Sequence, residues 1–149
     1  MSSNPPLFRR LDHIAIVVND TDDALRLYRD QMGLPVVIDE VIESGGVRLT
    51  HLDMGNVHLQ LVMPMTESHP LREFLDTRGP GLHHLCFETD DVGATLAKLP
   101  QRGLKEKTLA PHDGPLGKKA GFVDSQTTGG VIWEMTDCGT SPPQQKDGC

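Results

Sequence analysis

The sequence contains an internal repeat, and this feature constrains the fold more than any other. Residues 11–16 (Leu-Asp-His-Ile-Ala-Ile) and 82–87 (Leu-His-His-Leu-Cys-Phe) both read as a β-strand with His at the third position. Acidic residues follow each strand, at 20–23 and at 90–91, where carboxylates would cap the start of a helix. The repeat predicts two copies of one supersecondary unit.

The two copies also end alike. Each predicted helix stops at a Gly-Leu pair, at 33–34 and at 103–104, where Gly can take a left-handed conformation cheaply. The last strands match as well, since 55–61 reads Gly-Asn-Val-His-Leu-Gln-Leu and 129–135 reads Gly-Gly-Val-Ile-Trp-Glu-Met. Two more strands fit between helix and last strand in each copy. They are predicted at about 35–42, 46–53, 104–109 and 118–123.

Each copy therefore reads βαβββ, which predicts an α+β fold. A single copy would leave one sheet face exposed, so we expect the two sheets to form a partly closed cup with the helices outside. The predicted single domain covers 10–137, with modules at about 10–65 and 81–137 joined by a short helix at 70–77. Residues 1–9 are expected to be a flexible N-terminus and residues 138–149 a disordered tail.

Composition excludes several classes of partner. The chain has 149 residues, enough for one folded domain, and its net charge of −7 argues against non-specific nucleic-acid binding. No apolar run is long enough to span a membrane, and the N-terminus lacks the apolar core of a secretory signal. The three cysteines, Cys86, Cys138 and Cys149, fit no zinc spacing. We expect reduced thiols in a cytoplasmic protein with neither nucleic-acid nor membrane partners.

Four polar residues occupy equivalent places in the repeat. Side chains alternate between the faces of a strand, so His13 points away from the apolar face that begins at Ile14. The same alternation places His84, Gln60 and Glu134 on the concave side of their strands. Each copy thus contributes one imidazole and one oxygen donor to the cup.

This donor set predicts a metal site. Two imidazoles, an amide oxygen and a carboxylate suit one borderline divalent ion such as Zn, Co, Ni or Mn. Only the carboxylate is charged, so the ion would keep its Lewis acidity. Four of the five remaining histidines are expected to be solvated or to support the ligands, namely His51, His58, His69 and His112. The fifth, His83, is adjacent to His84, and the repeat offset selects His84 as the ligand.

Three stretches carry a family resemblance. They are Phe-Leu-x-x-Arg-Gly-x-Gly-x-His-His at 74–84, Gly-Lys-Lys-Ala-Gly-Phe at 117–122 and Thr-Gly-Gly-Val-Ile-Trp-Glu at 128–134. The chain resembles the vicinal oxygen chelate (glyoxalase/bleomycin resistance/dioxygenase) superfamily over about 10–137, and within it the methylmalonyl-CoA epimerases. The first of the three stretches is the part that is similar to the epimerases.

The resemblance implies a metal-dependent epimerase. Such an enzyme would abstract the α-proton of an acyl-CoA similar to methylmalonyl-CoA, and the metal would stabilise the enolate. The family's ligand glutamate corresponds to Glu134, which can also transfer the proton. Lys118 and Lys119 could meet the phosphates of CoA, and the resemblance also implies a homodimer.

The sequence departs from the epimerases where the substrate would be held. Some of them carry a second carboxylate where this chain has Leu49, which leaves only Glu43 and His51 as candidates for a second acid or base. The stretch 123–126 also lacks a lysine that the family tends to have. Two alternatives therefore stay open: a glyoxalase I-like lyase or another metal enzyme of the superfamily, and a metal-free protein that sequesters small molecules such as antibiotics.

Overall fold

The computed structural model describes residues 4–137. The strands are Arg10–Val17 (β1), Val36–Ile42 (β2), Val47–Asp53 (β3), His58–Pro64 (β4), Gly81–Glu88 (β5), His112–Asp113 (β6), Lys119–Val123 (β7) and Trp133–Thr136 (β8). The helices are Thr21–Leu25 (α1), Leu71–Arg78 (α2) and Val92–Lys98 (α3). A π-helical turn, Arg26–Gln31, continues α1, and a 3-10 turn, Leu99–Arg102, continues α3. None of the described helices has both the length and the apolar character needed to cross a membrane.

The eight strands form one sheet with the order β2-β3-β4-β1-β5-β8-β7-β6. In each half of this order the first strand of a copy lies parallel to the last strand of that copy, β1 beside β4 and β5 beside β8. The remaining strands of each copy follow outward as antiparallel neighbours. The predicted α+β class and the βαβββ order of both copies are confirmed.

The chain divides into two compact units, and the first is His13–His84. Its helix side is the apolar face that the alternation predicted: Ile16, Leu52 and Leu61 are buried together with Leu25 of α1. The opposite face of the same strands is also partly apolar. There Ala15, Val17, Leu49 and Val62 form a second cluster with Leu75 of α2. The residues beyond His13 on its own face are thus covered by the helix that follows β4.

The second unit comprises residues 4–12 and 85–137 of the described chain. Val92 and Leu96 of α3 pack on Val123 and Met135 of the sheet. The ring of Phe8 stacks on Phe87, with 4.8 Å between their centroids. Flexibility of the N-terminus, predicted for 1–9, stays a prediction, as do the domain boundaries, and the predicted tail at 138–149 lies outside the described residues.

Both helices that follow the repeated strands begin in the same way. The side chain of Asp20 accepts a hydrogen bond from the backbone N–H of Asp23 at 3.0 Å, and that of Asp91 accepts one from Ala94 at 2.7 Å. Both carboxylates occupy the N-cap position with extended backbone. The acidic residues after each strand therefore cap α1 and α3, as the sequence predicts.

One predicted strand is wrong. Residues 104–109 form no strand, and only a single bridge joins Glu106 to Val123 among the described residues. The backbone N–H groups of Lys107 and Thr108 both donate to the carbonyl of Phe122, so the regular ladder is interrupted. The outer strand of this copy is instead the two-residue β6. It follows Pro111, which has no backbone N–H to donate to a ladder.

Candidate active site

Strand register places Gln60 next to His13 on one face of the first unit. In the parallel pair β1/β4, His13 lies opposite His58 and Ala15 lies opposite Gln60. Ala15 is two residues beyond His13, so its side chain and that of Gln60 share the face of His13. His13 and Gln60 are both 3 % exposed.

The second unit repeats this register. In the parallel pair β5/β8, Glu134 lies opposite Cys86, which is two residues beyond His84 on the same strand. Glu134 therefore stands in the same relation to β5 as Gln60 does to β1. His84 and Glu134 are both 9 % exposed. The two imidazoles and two oxygen donors singled out by the repeat all lie on buried positions with equivalent backbone geometry.

The two imidazoles lie close together. The ring centroids of His13 and His84 are 5.9 Å apart, and each ring offers a nitrogen within 4.8 Å of the other. Two imidazoles on one zinc ion bind at about 2.0–2.1 Å each, so their nitrogens are at most about 4.2 Å apart. An upper bound of 4.8 Å on the separation of these nitrogens is compatible with a shared ion.

Gln60 belongs to a chain of hydrogen bonds with two further histidines. Its amide nitrogen lies 2.9 Å from Nε2 of His51, which is directly opposite it in the antiparallel pair β3/β4. Nδ1 of His51 lies 3.0 Å from Nδ1 of His58. His51 is buried and also packs edge-on against the ring of His13, with 5.0 Å between the centroids.

Glu134 has its own neighbours in the second unit. Nε2 of His112 lies 3.8 Å from a carboxylate oxygen of Glu134, and the His112 ring stacks on Phe122 with 5.5 Å between centroids. Burial raises the pKa of the Cys86 thiol well above its ordinary value, and the negative charges of Glu134 and Asp12 raise it further. Cys86 is therefore a neutral thiol in this setting, and the carboxylate of Glu134 lies beside it.

The chain matches a known superfamily over most of its length. Residues 12–122 match the Glyoxalase/Bleomycin resistance protein/Dioxygenase superfamily. The chain belongs to this superfamily. Its relatives include the uncharacterized protein YqjC of Bacillus subtilis, which is 33 % identical over 128 residues, covering 86 % of this chain and 91 % of the relative.

Solved structures of this superfamily narrow the class. Methylmalonyl-CoA epimerase from Mycobacterium tuberculosis has a TM-score of 0.84 and 29 % identity, covering 95 % of this chain and 94 % of that one. A variant of the Streptomyces coelicolor methylmalonyl-CoA epimerase in complex with 2-nitronate-propionyl-CoA has a TM-score of 0.80 and 33 % identity. The match covers 91 % of this chain and 99 % of that one. The predicted vicinal oxygen chelate fold is confirmed, and this superfamily member is an isomerase of the epimerase type.

The two lysines that the resemblance suggested for CoA differ in their exposure and in the carboxylate that each contacts. Nζ of Lys118 lies 3.8 Å from a carboxylate oxygen of Asp12, and most of the Lys118 side chain is buried. Nζ of Lys119 lies 2.6 Å from Asp113, which raises the pKa of Lys119, and its side chain is half exposed. Lys119 is therefore the more accessible of the two, although both contact a carboxylate.

The positions considered for a second acid or base also differ in their surroundings. Leu49, at the position where some epimerases have a carboxylate, is buried in the apolar cluster beside α2. Glu43 lies exposed in the turn between β2 and β3. His51 is buried against Gln60 and His13. Of these candidates His51 is the one that contacts the predicted ligands.

Sequence reasoning missed the contacts of His51, His58 and His112. The contacts of His51 and His58 depend on the register of the β3/β4 hairpin, in which His51 lies opposite Gln60. Gly55, with a positive φ, lies in the turn of this hairpin. A signal for this pairing was present in the Gly-Asn turn, since counting outward from it places residue 51 opposite residue 60. No such signal exists for His112, because the short strand β6, which places it near Glu134, follows an irregular segment of the chain.

Proposed function

We propose that this chain is a metal-dependent epimerase that abstracts the α-proton of an acyl-CoA similar to methylmalonyl-CoA. The observation that carries the proposal is the repeated register, in which Gln60 stands beside β1 as Glu134 stands beside β5. Epimerase relatives that act on methylmalonyl-CoA support the choice of substrate class. The same relatives favour an epimerase over a glyoxalase-like lyase or a metal-free sequestering protein.

His13, Gln60, His84 and Glu134 would hold one divalent ion, for which Co, Zn, Ni and Mn are candidates. The donor types fit, because imidazole nitrogen and carboxylate or amide oxygen are ligands that these ions accept. When bound, the ion supplies Lewis acidity, which favours loss of a proton next to a carbonyl group. With a single carboxylate among the ligands, the site would keep a net positive charge and attract an anionic substrate.

Glu134 is the residue that we assign to proton removal. Its carboxylate is buried, and the nearby Cys86 stays a neutral thiol, so Glu134 is the basic group at this point of β8. A buried carboxylate near its substrate can serve as a general base even while it helps to fix a cation. For the phosphates of CoA we propose Lys118 and Lys119, with Lys119 the more exposed.

We also propose a homodimer in the cytoplasm. The family resemblance supports the dimer, and Cys86, a buried free thiol, is in keeping with a reducing compartment. Light scattering of the purified protein measures the oligomeric state directly. A molar mass equal to that of a single chain would contradict the dimer.

The decisive experiment follows the α-proton of methylmalonyl-CoA in deuterated water by NMR. The metal should be removed from the purified chain with a chelator and Co²⁺ then restored. We expect solvent deuterium to enter the α-position only with the metal-loaded enzyme, because proton removal at this carbon needs both the base and the cation.

The controls separate the alternatives. Succinyl-CoA, whose carboxylate lies one carbon further from the thioester, should exchange far more slowly. Turnover of the glutathione hemithioacetal of methylglyoxal without exchange on methylmalonyl-CoA would favour the lyase. A chain that neither retains metal nor catalyses exchange would contradict the proposed function.

A further inference from the structure

His51 has a contact that goes beyond the proposed ligand set. The amide nitrogen of Gln60 can only donate a hydrogen bond, so Nε2 of His51 at 2.9 Å must accept it. His51 is 1 % exposed, and it lies directly opposite Gln60 on the neighbouring strand. The contact is therefore a buried side-chain hydrogen bond that is fixed by strand register.

The second nitrogen of His51 fixes the direction of this bond. A neutral His51 that accepts at Nε2 carries its proton on Nδ1, which lies 3.0 Å from Nδ1 of His58. That proton is donated to His58, which accepts it and carries its own proton on Nε2. Both short contacts are satisfied with one proton each only in this arrangement of neutral rings.

The direction matters because a carboxamide has two ends of almost the same shape. Only its oxygen can bind a cation, whereas its NH₂ group would present two protons to it. If His51 carried its proton on Nε2, it would attract the Gln60 oxygen and turn the NH₂ group to the other side. The tautomer of His51 therefore decides which atom of Gln60 faces away from β3.

We propose that His51 is a positioning residue that holds the Gln60 carboxamide with its oxygen toward the cation, and that His58 fixes the tautomer of His51. This inference rests on the proposed metal site. It also gives a reason for a buried histidine two residues beyond Leu49, in a strand whose neighbouring buried positions are otherwise apolar or Thr. A glutamate at position 60 would need no such partner, because both of its terminal atoms are oxygen.

The test compares Co²⁺ affinities by calorimetry on the full chain after metal removal. The variant His51→Phe keeps a ring but removes the acceptor, and it is made both with Gln60 and in the Gln60→Glu background. We expect about a 10- to 100-fold loss of Co²⁺ affinity with Gln60, which is usual when a residue that orients a ligand is replaced. In the Gln60→Glu background we expect less than about a threefold loss, because either oxygen can bind.

The outcomes distinguish the inference from the proposed function. Wild-type chain that binds no Co²⁺ overturns the metal site and the inference together. Wild-type affinity in His51→Phe, or an equal loss in both backgrounds, overturns the inference and leaves the metal site standing. If His51→Phe does not fold by circular dichroism, His58→Phe takes its place, with a smaller loss expected only with Gln60, and unchanged affinity there contradicts the inference.

Discussion

Glu134 would act both as a metal ligand and as the proton acceptor, and one substitution can distinguish these two roles. Glu134→Gln keeps an oxygen donor but removes the basic carboxylate. We expect Co²⁺ to bind, more weakly, while α-proton exchange falls by about 10²- to 10⁴-fold, the usual contribution of a general base. His84→Ala should lose metal and exchange together. Metal analysis and the NMR exchange assay measure the two properties on the same samples.

His69→Ala is the matched control for these substitutions. His69 contacts the carbonyl of Gly45 in the β2–β3 turn and is not one of the proposed ligands. It should keep wild-type metal content and exchange rate. Full exchange activity in Glu134→Gln would show that another group removes the proton, and wild-type metal content in His84→Ala would show that the ligand assignment is wrong.

Single residues differ in how far the sequence could predict them. His13, Gln60, His84 and Glu134 could be singled out because strand alternation and the repeat give two independent reasons for each. The supporting contacts of His51 could not be foreseen from alternation alone. Alternation specifies a face, whereas a hydrogen bond between strands also needs their register.

The two faces of β4 should respond differently to substitution. Leu61 is fully buried on the helix side of the strand, next to Gln60 in sequence but on the other face. Leu61→Ala should lower the free energy of unfolding by about 3–5 kcal/mol, through lost burial and the cavity left behind. Its Co²⁺ affinity should stay within about twofold of wild type, because the opposite face is untouched.

Gln60→Ala is the companion variant for this strand. It should abolish or strongly weaken Co²⁺ binding while it costs less stability in urea unfolding than Leu61→Ala. If Leu61→Ala lost as much metal affinity as Gln60→Ala, the assignment of opposite faces would be wrong.

The β2–β3 hairpin carries an ion pair with a defined pH dependence. Two nitrogens of the Arg48 guanidinium contact the carboxylate of Asp39, and this lowers the pKa of Asp39. A carboxylate with a lowered folded-state pKa adds stability above its unfolded pKa of about 3.9 and loses it as the pH falls through the folded value. Asp39→Asn should therefore cost up to about 1 kcal/mol near pH 7, since water screens this partly exposed pair.

The cost of Asp39→Asn should shrink as the pH falls below about 4 and disappear once the pH is below the lowered folded-state pKa, where the wild-type carboxyl takes up its proton. Urea unfolding at a series of pH values measures it. The exposed Asp76→Asn on α2 serves as control and should show no comparable difference from wild type. A cost that is the same at pH 3 and pH 7 would contradict the role assigned to the ion pair.

Whole elements were easier to predict than their exact pairing. Strong local signals marked β2, β3 and α2, and the structure has them within one or two residues of the predicted bounds. The strand at 104–109 is predicted from the parallel with the first copy, but the backbone N–H groups of Lys107 and Thr108 share the carbonyl of Phe122, which prevents a regular ladder. Such a loss depends on tertiary hydrogen bonding, which local sequence does not encode.

At the scale of the whole molecule, duplication made the fold predictable and left the substrate open. The duplicated register explains why the donors fall on equivalent strands, β1 with β4 and β5 with β8. The repeat gives no corresponding prediction of the acyl group, because the departure from the epimerases at Leu49 lies in one copy only. Two copies of one pattern can thus predict a metal site while leaving the substrate to experiment.

The proposed ligands come from four strands that together span residues 10–136, so metal binding should stabilise the entire fold. A cation that binds only the native chain adds RT ln(1 + [metal]/Kd), which is about 2.7 kcal/mol at a metal concentration of 100 Kd. Urea unfolding of the metal-depleted chain, with and without Co²⁺, measures this gain. His84→Ala should show no such gain, and a gain of equal size in that variant would place the bound Co²⁺ elsewhere on the chain.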